Sequence, residues 1–186
     1  MSTATAAPTR VPTGRWSVDP SHSSVEFQVK HLGIANVRGH FAKFGGTLEI
    51  GDDLASAKAY GVVEAASVDT NDEARDAHLR SPDFFDVEHY REIAFESRGI
   101  TPTGDDSFEI TGDLTMRGIT RELRLQAEIT GTEQDPYGNE RVGLEATGEL
   151  NRGDYGITFN QALGSGNALV SDKVKLQLDI SAVRQS

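Results

Sequence analysis

Apolar and polar residues alternate one by one through most of the chain, and this period of two limits the possible folds more than any other feature. Between residues 108 and 116 the apolar phase holds Phe108, Ile110, Gly112, Leu114 and Met116. Between residues 174 and 180 it holds Val174, Leu176, Leu178 and Ile180. Successive side chains of a strand point to opposite faces, so the pattern predicts strands with one buried and one solvated face.

Short turn sequences separate these stretches, among them Thr103–Asp106 and Asp135–Asn139. Such turns join antiparallel neighbours, and about eight antiparallel strands close into a barrel. Many inward positions of this barrel carry small residues: Gly39, Gly61, Ala65, Ser97, Gly112, Ala127, Ala146 and Gly148. The pattern favours an elongated apolar cavity inside an all-β, antiparallel barrel. The alternative is a twisted sheet sandwich whose glycines lie at bends.

The alternation stops between Ser67 and Tyr90, where the sequence predicts one short helix. Thr70 and Glu73 have the spacing of a capping box, which predicts a helix start at Thr70. Pro82 disfavours helical backbone before it, so the helix should span about ten residues and end near Arg80. A helix this short is marginal alone and must dock on the barrel. The adjacent Phe84 and Phe85 are the predicted docking groups, which indicates a lid or plug.

Length and composition exclude several classes of protein. The 186 residues suit one domain, predicted over 14–186 after a disordered tail at 1–13. The net charge of -11 disfavours nucleic acid as a partner, and no apolar run reaches the ~20 residues of a membrane span. The chain has no cysteine, which excludes disulfides and thiolate chemistry. The first fifteen residues lack the apolar core of a secretion signal, which predicts a cytoplasmic location.

The polar residues form no recognisable catalytic or metal motif. None of the five histidines forms a close ligand pair, and no serine has the G-x-S-x-G setting of a hydrolase. Asp76 and His78 could hold a metal only with help from another strand, and a structural role is favoured. Arg75 with Asp76, and Arg152 with Asp154, are predicted ion pairs at the barrel rim. The alternative is that a rim arginine meets a ligand head group. No catalytic residue, metal site or cofactor is therefore predicted.

Several motifs occur in an order that resembles the YceI-like family. They are Val18–Ser23, Arg38–Phe41, Ala66–Thr70, Arg75–Ser81, Asp83–Asp86, Thr111–Gly118 and Asn151–Gly156. The resemblance covers about residues 14–183. It implies an extended lipocalin-like barrel that binds a long apolar molecule, typically a polyisoprenoid, an isoprenoid quinone or a fatty-acid-like lipid, often as a homodimer. Many members of the family carry a secretion signal and work in the periplasm, and this sequence differs from them there.

Together the pattern and the resemblance predict non-catalytic binding, storage or transport of an apolar lipid, with a link to stress response. The predicted ligand-binding residues are Phe27, Val29, Phe41, Val63, Leu79, Phe84, Phe85, Phe95, Leu114, Met116, Leu144 and Leu176. Phe84 and Phe85 are interpreted either as a gate or as ordinary core residues. Two alternatives stay open: an enzyme, haem or metal protein built on the same barrel, and a stress-induced structural protein whose cavity is incidental.

Overall fold

In the part of the chain that the structure describes, eleven strands form a single antiparallel sheet, and one α-helix is inserted after the sixth strand. The computed structural model describes residues 13–52, 56–161, 163 and 168–185. Almost all of the predicted tail lies outside these residues, and the first strand begins at Gly14. The strands are β1 Gly14–Val18, β2 Ser24–His31, β3 Ala35–Phe41, β4 Phe44–Ile50, β5 Lys58–Glu64, β6 Val68–Asp69, β7 Glu92–Pro102, β8 Ser107–Met116, β9 Ile119–Gln134, β10 Glu140–Asn151 and β11 Val170–Arg184, and the helix is α1 Glu73–Arg80.

Eight of these strands close into a ring because β1 pairs with both β4 and β11. The order around the ring is β1, β4, β5, β7, β8, β9, β10 and β11. The other three strands, β2, β3 and β6, continue the sheet from the first half of β11. The predicted eight-stranded antiparallel barrel with one short helix is confirmed.

A short 3₁₀ turn at Pro20–His22 separates β1 from β2, and it lets one edge of β11 pair with both strands. The β11 residues Val170–Asp179 pair with β2, whereas Ala182–Arg184 pair with β1. Proline lacks a backbone N–H and cannot continue the ladder. The break therefore allows β1 to turn towards β4 while β2 continues along β11.

The helix begins two residues later than the capping-box pattern predicts. Asp72 is the N-cap, and its carboxylate accepts a hydrogen bond from the backbone N–H of Arg75 at 3.0 Å. The Thr70 hydroxyl instead donates to the buried carboxylate of Asp76 at 2.6 Å. The prediction of Thr70 as the cap is wrong because this tertiary partner takes its hydroxyl. The predicted end at Arg80 is confirmed.

One end of the barrel, which we call the base, is closed by a cluster of buried apolar side chains. The cluster consists of Trp16, Phe108, Ile129, Val142 and Ala182. Trp16 and Ala182 have no exposed surface. The alternating phases of five different strands meet here, so a ligand cannot pass through this end without unpacking the core.

Polar residues join the strands around the base through Arg141. Its guanidinium contacts the carboxylates of Asp19 and Asp135, each at 2.9 Å. Hydrogen bonds from Ser21, His22 and Arg141 hold the pKa of Asp19 well below its usual range. Backbone N–H donation from Asn139, with help from Arg141, lowers the pKa of Asp135 to about 2.

We expect these two carboxylates to make stability depend on acid pH. Their folded-state pKa values lie below the value of about 3.9 in an unfolded chain, so their contribution is complete above about pH 4 and is lost as the pH falls towards about 2. Asp135→Asn should therefore flatten the dependence of the unfolding midpoint on pH in that window. The control is Glu128→Gln, which changes an exposed β9 carboxylate without an ion pair among the described residues. Identical profiles for the wild type and Asp135→Asn would contradict the prediction.

Candidate ligand cavity

The barrel encloses an apolar cavity of about 510 Å³. Its wall is built from inward-facing side chains of the strands and from α1 and the segments that follow it. All twelve residues predicted from the sequence lie on this wall: Phe27, Val29, Phe41, Val63, Leu79, Phe84, Phe85, Phe95, Leu114, Met116, Leu144 and Leu176. Their contact with a ligand stays a prediction.

The alternation of each strand explains why the wall is apolar. In β11 the inward phase is Val174, Leu176, Leu178 and Ile180, all of which line the cavity. The opposite phase of the same strand carries Lys173, Lys175 and Asp179. Because neighbouring strands pair in register, their apolar phases fall on the same side of the sheet.

The small inward residues contribute to the cavity in two different ways. The ring of Phe27 covers Gly39, and the ring of Phe95 covers Gly112; a Cβ at either glycine would lie within 2.5 Å of a ring carbon. These two glycines therefore make room for aromatic rings from adjacent strands. Gly61 is different, because the nearest atom to a Cβ placed there is a backbone oxygen 4.0 Å away. The space beside Gly61 belongs to the cavity.

The end of the barrel opposite the base, which we call the mouth, is covered by α1, residues 81–90 and residues 157–161. His78 lies between two phenylalanines, with ring centroids 5.0 Å from Phe84 and 4.7 Å from Phe159. Lys30 and Arg75 line the cavity and are also exposed to solvent. The cavity therefore reaches the surface at the mouth.

Phe84 and Phe85 enter the barrel directly after the helix. Phe84 is buried in the main core cluster, and Phe85 packs against Phe41 with centroids 5.7 Å apart. The Arg117 guanidinium holds this segment, donating to the carbonyl oxygens of Pro82 at 2.8 Å and Phe84 at 2.6 Å. Both rings are core residues that also line the cavity, and a gating role stays a prediction.

The sequence reasoning missed Phe159, which lines the cavity beside Phe84. Ile157 and Phe159 do alternate with polar neighbours, so a period-two signal was present. It covers only two apolar positions and follows the Arg152–Tyr155 turn. A signal this short does not distinguish a strand from a loop.

Thr70 joins two charged residues of α1 that were predicted to pair with each other. The buried carboxylate of Asp76 accepts from the backbone N–H and the hydroxyl of Thr70, at 2.8 and 2.6 Å. The Arg75 guanidinium donates through Nε to the Thr70 hydroxyl and through Nη2 to the Thr70 carbonyl. Arg75 and Asp76 therefore meet through Thr70 and make no direct ion pair in the described part of the chain.

Arg152 is a buried cation that also lines the cavity. Its guanidinium donates to four backbone carbonyl oxygens, those of Ile157, Phe159, Val170 and Ser171. Arg152 forms its ion pair with Asp172 and not with the predicted partner Asp154. The Asp172 carboxylate lies 3.6 Å away and is largely exposed. Burial lowers the pKa of Arg152 from its ordinary value. The main role of this side chain is to fasten residues 157–159 to the start of β11.

The side chains proposed as metal ligands have separate partners. Asp76 is bonded to Thr70, and the His78 Nε2 lies 2.9 Å from a carboxylate oxygen of Asp83. Within residues 13–52, 56–161, 163 and 168–185, no three His, Asp or Glu side chains are grouped as metal ligands. In the same residues, no helix has both the length and the apolarity to cross a membrane.

Comparison with known proteins identifies relatives over most of the chain. A UPF0312 protein of Staphylococcus aureus (strain N315) is 39% identical over 165 residues, which cover 87% of this chain and 93% of that protein. The solved YceI protein of Campylobacter jejuni is 27% identical with a TM-score of 0.71, covering 84% of this chain and 90% of its own. BcnA of Burkholderia cenocepacia gives a TM-score of 0.76 at 20% identity, over 88% of this chain and 98% of its own, and shares the fold.

A polyisoprenoid binding domain from Saccharophagus degradans, implicated in plant cell wall breakdown, also has this fold. Its TM-score is 0.70 at 16% identity, over 91% of this chain and 98% of its own. The sequence profile of the YceI-like domain matches residues 16–182, which span the barrel except for two residues at the start of β1 and two at the end of β11. The chain therefore belongs to the YceI-like family.

Proposed function

We propose that the protein binds one long-chain apolar molecule in its barrel and does no chemistry on it. The observation that carries the proposal is the apolar cavity of about 510 Å³, walled mainly by aliphatic and aromatic side chains and open to the surface at the mouth. Concave apolar sites of this size are typical of small-molecule binding. The polyisoprenoid binding of the Saccharophagus degradans domain supports a polyisoprenoid, an isoprenoid quinone or a fatty-acid-like lipid as the ligand class.

The hydrophobic effect alone is sufficient for useful affinity. Burying about fifteen hydrocarbon carbons contributes roughly 12 kcal/mol at ~0.8 kcal/mol for each CH₂. If association and ordering cost about 4 kcal/mol, about 8 kcal/mol remains, which corresponds to a Kd of about 1 μM. No catalytic group or cofactor is needed for this function. A carrier or storage role, a link to stress response, a cytoplasmic location and a homodimer stay predictions.

Lipid extraction from the purified protein tests the proposal directly. We expect mass spectrometry of the extract to show a long-chain lipid in near-stoichiometric amount. The delipidated protein should bind an added isoprenoid alcohol such as farnesol. Ligand at a hundred times its Kd stabilises the folded state by about 2.7 kcal/mol, which should raise the Tm by roughly 5 to 10 °C.

Two results would contradict the proposal. Extracts without lipid, together with no shift in Tm on adding farnesol, would leave the cavity without a function in binding. Stoichiometric metal or a Soret absorption band in the purified protein would favour an enzyme or a haem protein built on the same barrel.

A further inference from the structure

The charges along the cavity wall are all of one sign. Among the described residues, no Asp or Glu lines the cavity, although the chain has 29 acidic residues and a net charge of -11. The nitrogen bases on the wall are Lys30, His31, Arg75, His78 and Arg152. The charged side chains described on the wall are therefore all positive, although the protein as a whole is acidic.

All five groups belong to the mouth. Lys30 and His31 are the last two residues of β2, and Arg152 directly follows β10. Arg75 and His78 lie one turn apart on α1. The base at the other end of the cavity consists of apolar side chains. A ligand with one polar end would therefore lie with that end at the mouth.

Two of these five groups are already bound to other parts of the protein, and three could contact a ligand. Arg152 is occupied by four carbonyl oxygens and Asp172, and His78 is paired with Asp83. Lys30, His31 and Arg75 form no ion pair with any carboxylate in the described part of the chain. The buried Asp76 carboxylate and the Arg75 guanidinium share the Thr70 hydroxyl but form no direct ion pair.

The Arg75 guanidinium is fixed in place by hydrogen bonds and still has a donor nitrogen without an acceptor in the described structure. Its Nε and Nη2 form a fork on the hydroxyl and carbonyl of Thr70, at 2.8 and 2.7 Å. Its Nη1 has no acceptor among the described residues. Because Asp76 also bonds Thr70, the arginine is anchored without a direct carboxylate partner. A guanidinium presented in this way suits an anionic oxygen, and such charge-assisted bonds are stronger than neutral ones.

We propose that the mouth binds the anionic head group of a single-chain lipid, a carboxylate or a phosphate monoester, and that Arg75 contacts it while the tail occupies the cavity. This inference rests on the proposed function and names the chemical class of its ligand. Carboxylate and phosphate share the chemistry that Arg75 recognises. A neutral alcohol with the same tail can accept a hydrogen bond from Arg75 but carries no charge, so it should bind less tightly than the anion.

The test compares three ligands with one tail: dodecanoate, dodecyl phosphate and dodecan-1-ol, titrated calorimetrically into the delipidated full chain. We expect at least one of the two anions to bind about ten- to a hundred-fold more tightly than the alcohol, the range for a hydrogen bond to a charged group. Raising the salt concentration should lower the affinity for the anion and leave the affinity for the alcohol unchanged. Preference for one anion over the other would identify the head group.

Arg75→Gln should remove most of the preference for the anion while the affinity for the alcohol stays within about twofold. Lys30→Gln provides a second variant that leaves the Thr70 contacts intact, and it should reduce the preference less. The control is Arg124→Gln, which removes a cation on β9 whose side chain is 65% exposed and does not line the cavity.

The outcomes separate the two proposals. If dodecan-1-ol binds as tightly as both anions, the anionic head group is wrong and the lipid-binding function stands. If none of the three ligands binds, the lipid-binding function itself fails. If Arg75→Gln and Lys30→Gln both keep the full preference for the anion, the assignment of the head group to these residues is wrong.

Discussion

Gly61→Phe is expected to lower the affinity for a long-chain ligand by about a hundred-fold without unfolding the barrel. Gly61 lies in β5 opposite Gly46 and Phe95, and the space beside its Cα belongs to the cavity. A phenylalanine ring there would displace about three or four methylenes of the ligand, worth roughly 3 kcal/mol. That loss corresponds to about a hundred-fold in Kd. The measurement is a titration with farnesol or dodecanoate.

The same substitution should leave the empty protein as stable as the wild type or more stable. Phenylalanine is favoured over glycine in strands, and filling an apolar cavity commonly adds about 0.5 to 2 kcal/mol. Opposite effects on affinity and on Tm would distinguish a filled cavity from general damage to the fold.

The matched control places the same ring on the outside of the barrel. Glu96 is exposed on β7, next to Phe95, and does not line the cavity. Glu96→Phe should leave ligand affinity unchanged. Equal affinity of Gly61→Phe and the wild type would show that the ligand does not occupy this cavity. A Gly61→Phe protein that is less stable than the wild type would contradict the predicted void beside this glycine.

Arg152→Met is expected to cause the largest loss of stability of any single substitution considered. The carbonyl oxygen of Val170 would keep the Asn160 side-chain amide as a donor, but the other three that Arg152 satisfies would lose its guanidinium, and each buried acceptor without a partner costs about 1 to 3 kcal/mol. If water reaches one of these three, the loss is about 4 kcal/mol, although relief from burying the charge offsets part of it. We expect the Tm to fall by about 10 °C.

Amide hydrogen exchange locates the effect. The backbone around residues 157–159 and 170–171 should exchange faster in Arg152→Met, whereas the base around Trp16 and Val142 should keep its protection. Arg152→Lys should be intermediate, because an ammonium group cannot span the four carbonyls that the guanidinium fork reaches.

Arg124→Met is the control for the loss of an arginine as such. Its side chain is 65% exposed and pairs only with Glu122 in the described structure, so its loss should cost less than about 1 kcal/mol. A Tm for Arg152→Met within about 2 °C of the Arg124→Met value would show that the carbonyl contacts contribute little.

The residues that face the cavity were predictable from the sequence, because the alternation within each single strand decides which side chains point inward. All twelve predicted ligand-binding residues lie on the cavity wall, and each belongs to an alternating strand or to the apolar residues of the helical segment. Leu144 lies where the register between β9 and β10 shifts, between the pairs Gly143–Gly131 and Leu144–Ile129. The extra residue is Thr130 of β9, so the alternation of β10 itself is unbroken and Leu144 faces the cavity.

The partners of the polar groups were not predictable in the same way. The sequence pairs Arg75 with Asp76 and Arg152 with Asp154 because these residues are close along the chain. In the structure Arg152 is held by Ser171 and Asp172, some twenty residues away, and Thr70 separates Arg75 from Asp76. Near neighbours in sequence are not contacts when their side chains leave an element in different directions.

By itself the sequence determined the antiparallel strands, the apolar face of each strand and the place of the short helix. These follow from the period of two and from proline, whose effects act within a few residues. Only the tertiary structure decided which glycines are covered by aromatic rings and which end of the cavity is closed. It also brought the basic side chains of β2, of α1 and of residue 152 together at the mouth. Those properties depend on strand register and barrel closure, which bring together residues more than a hundred positions apart.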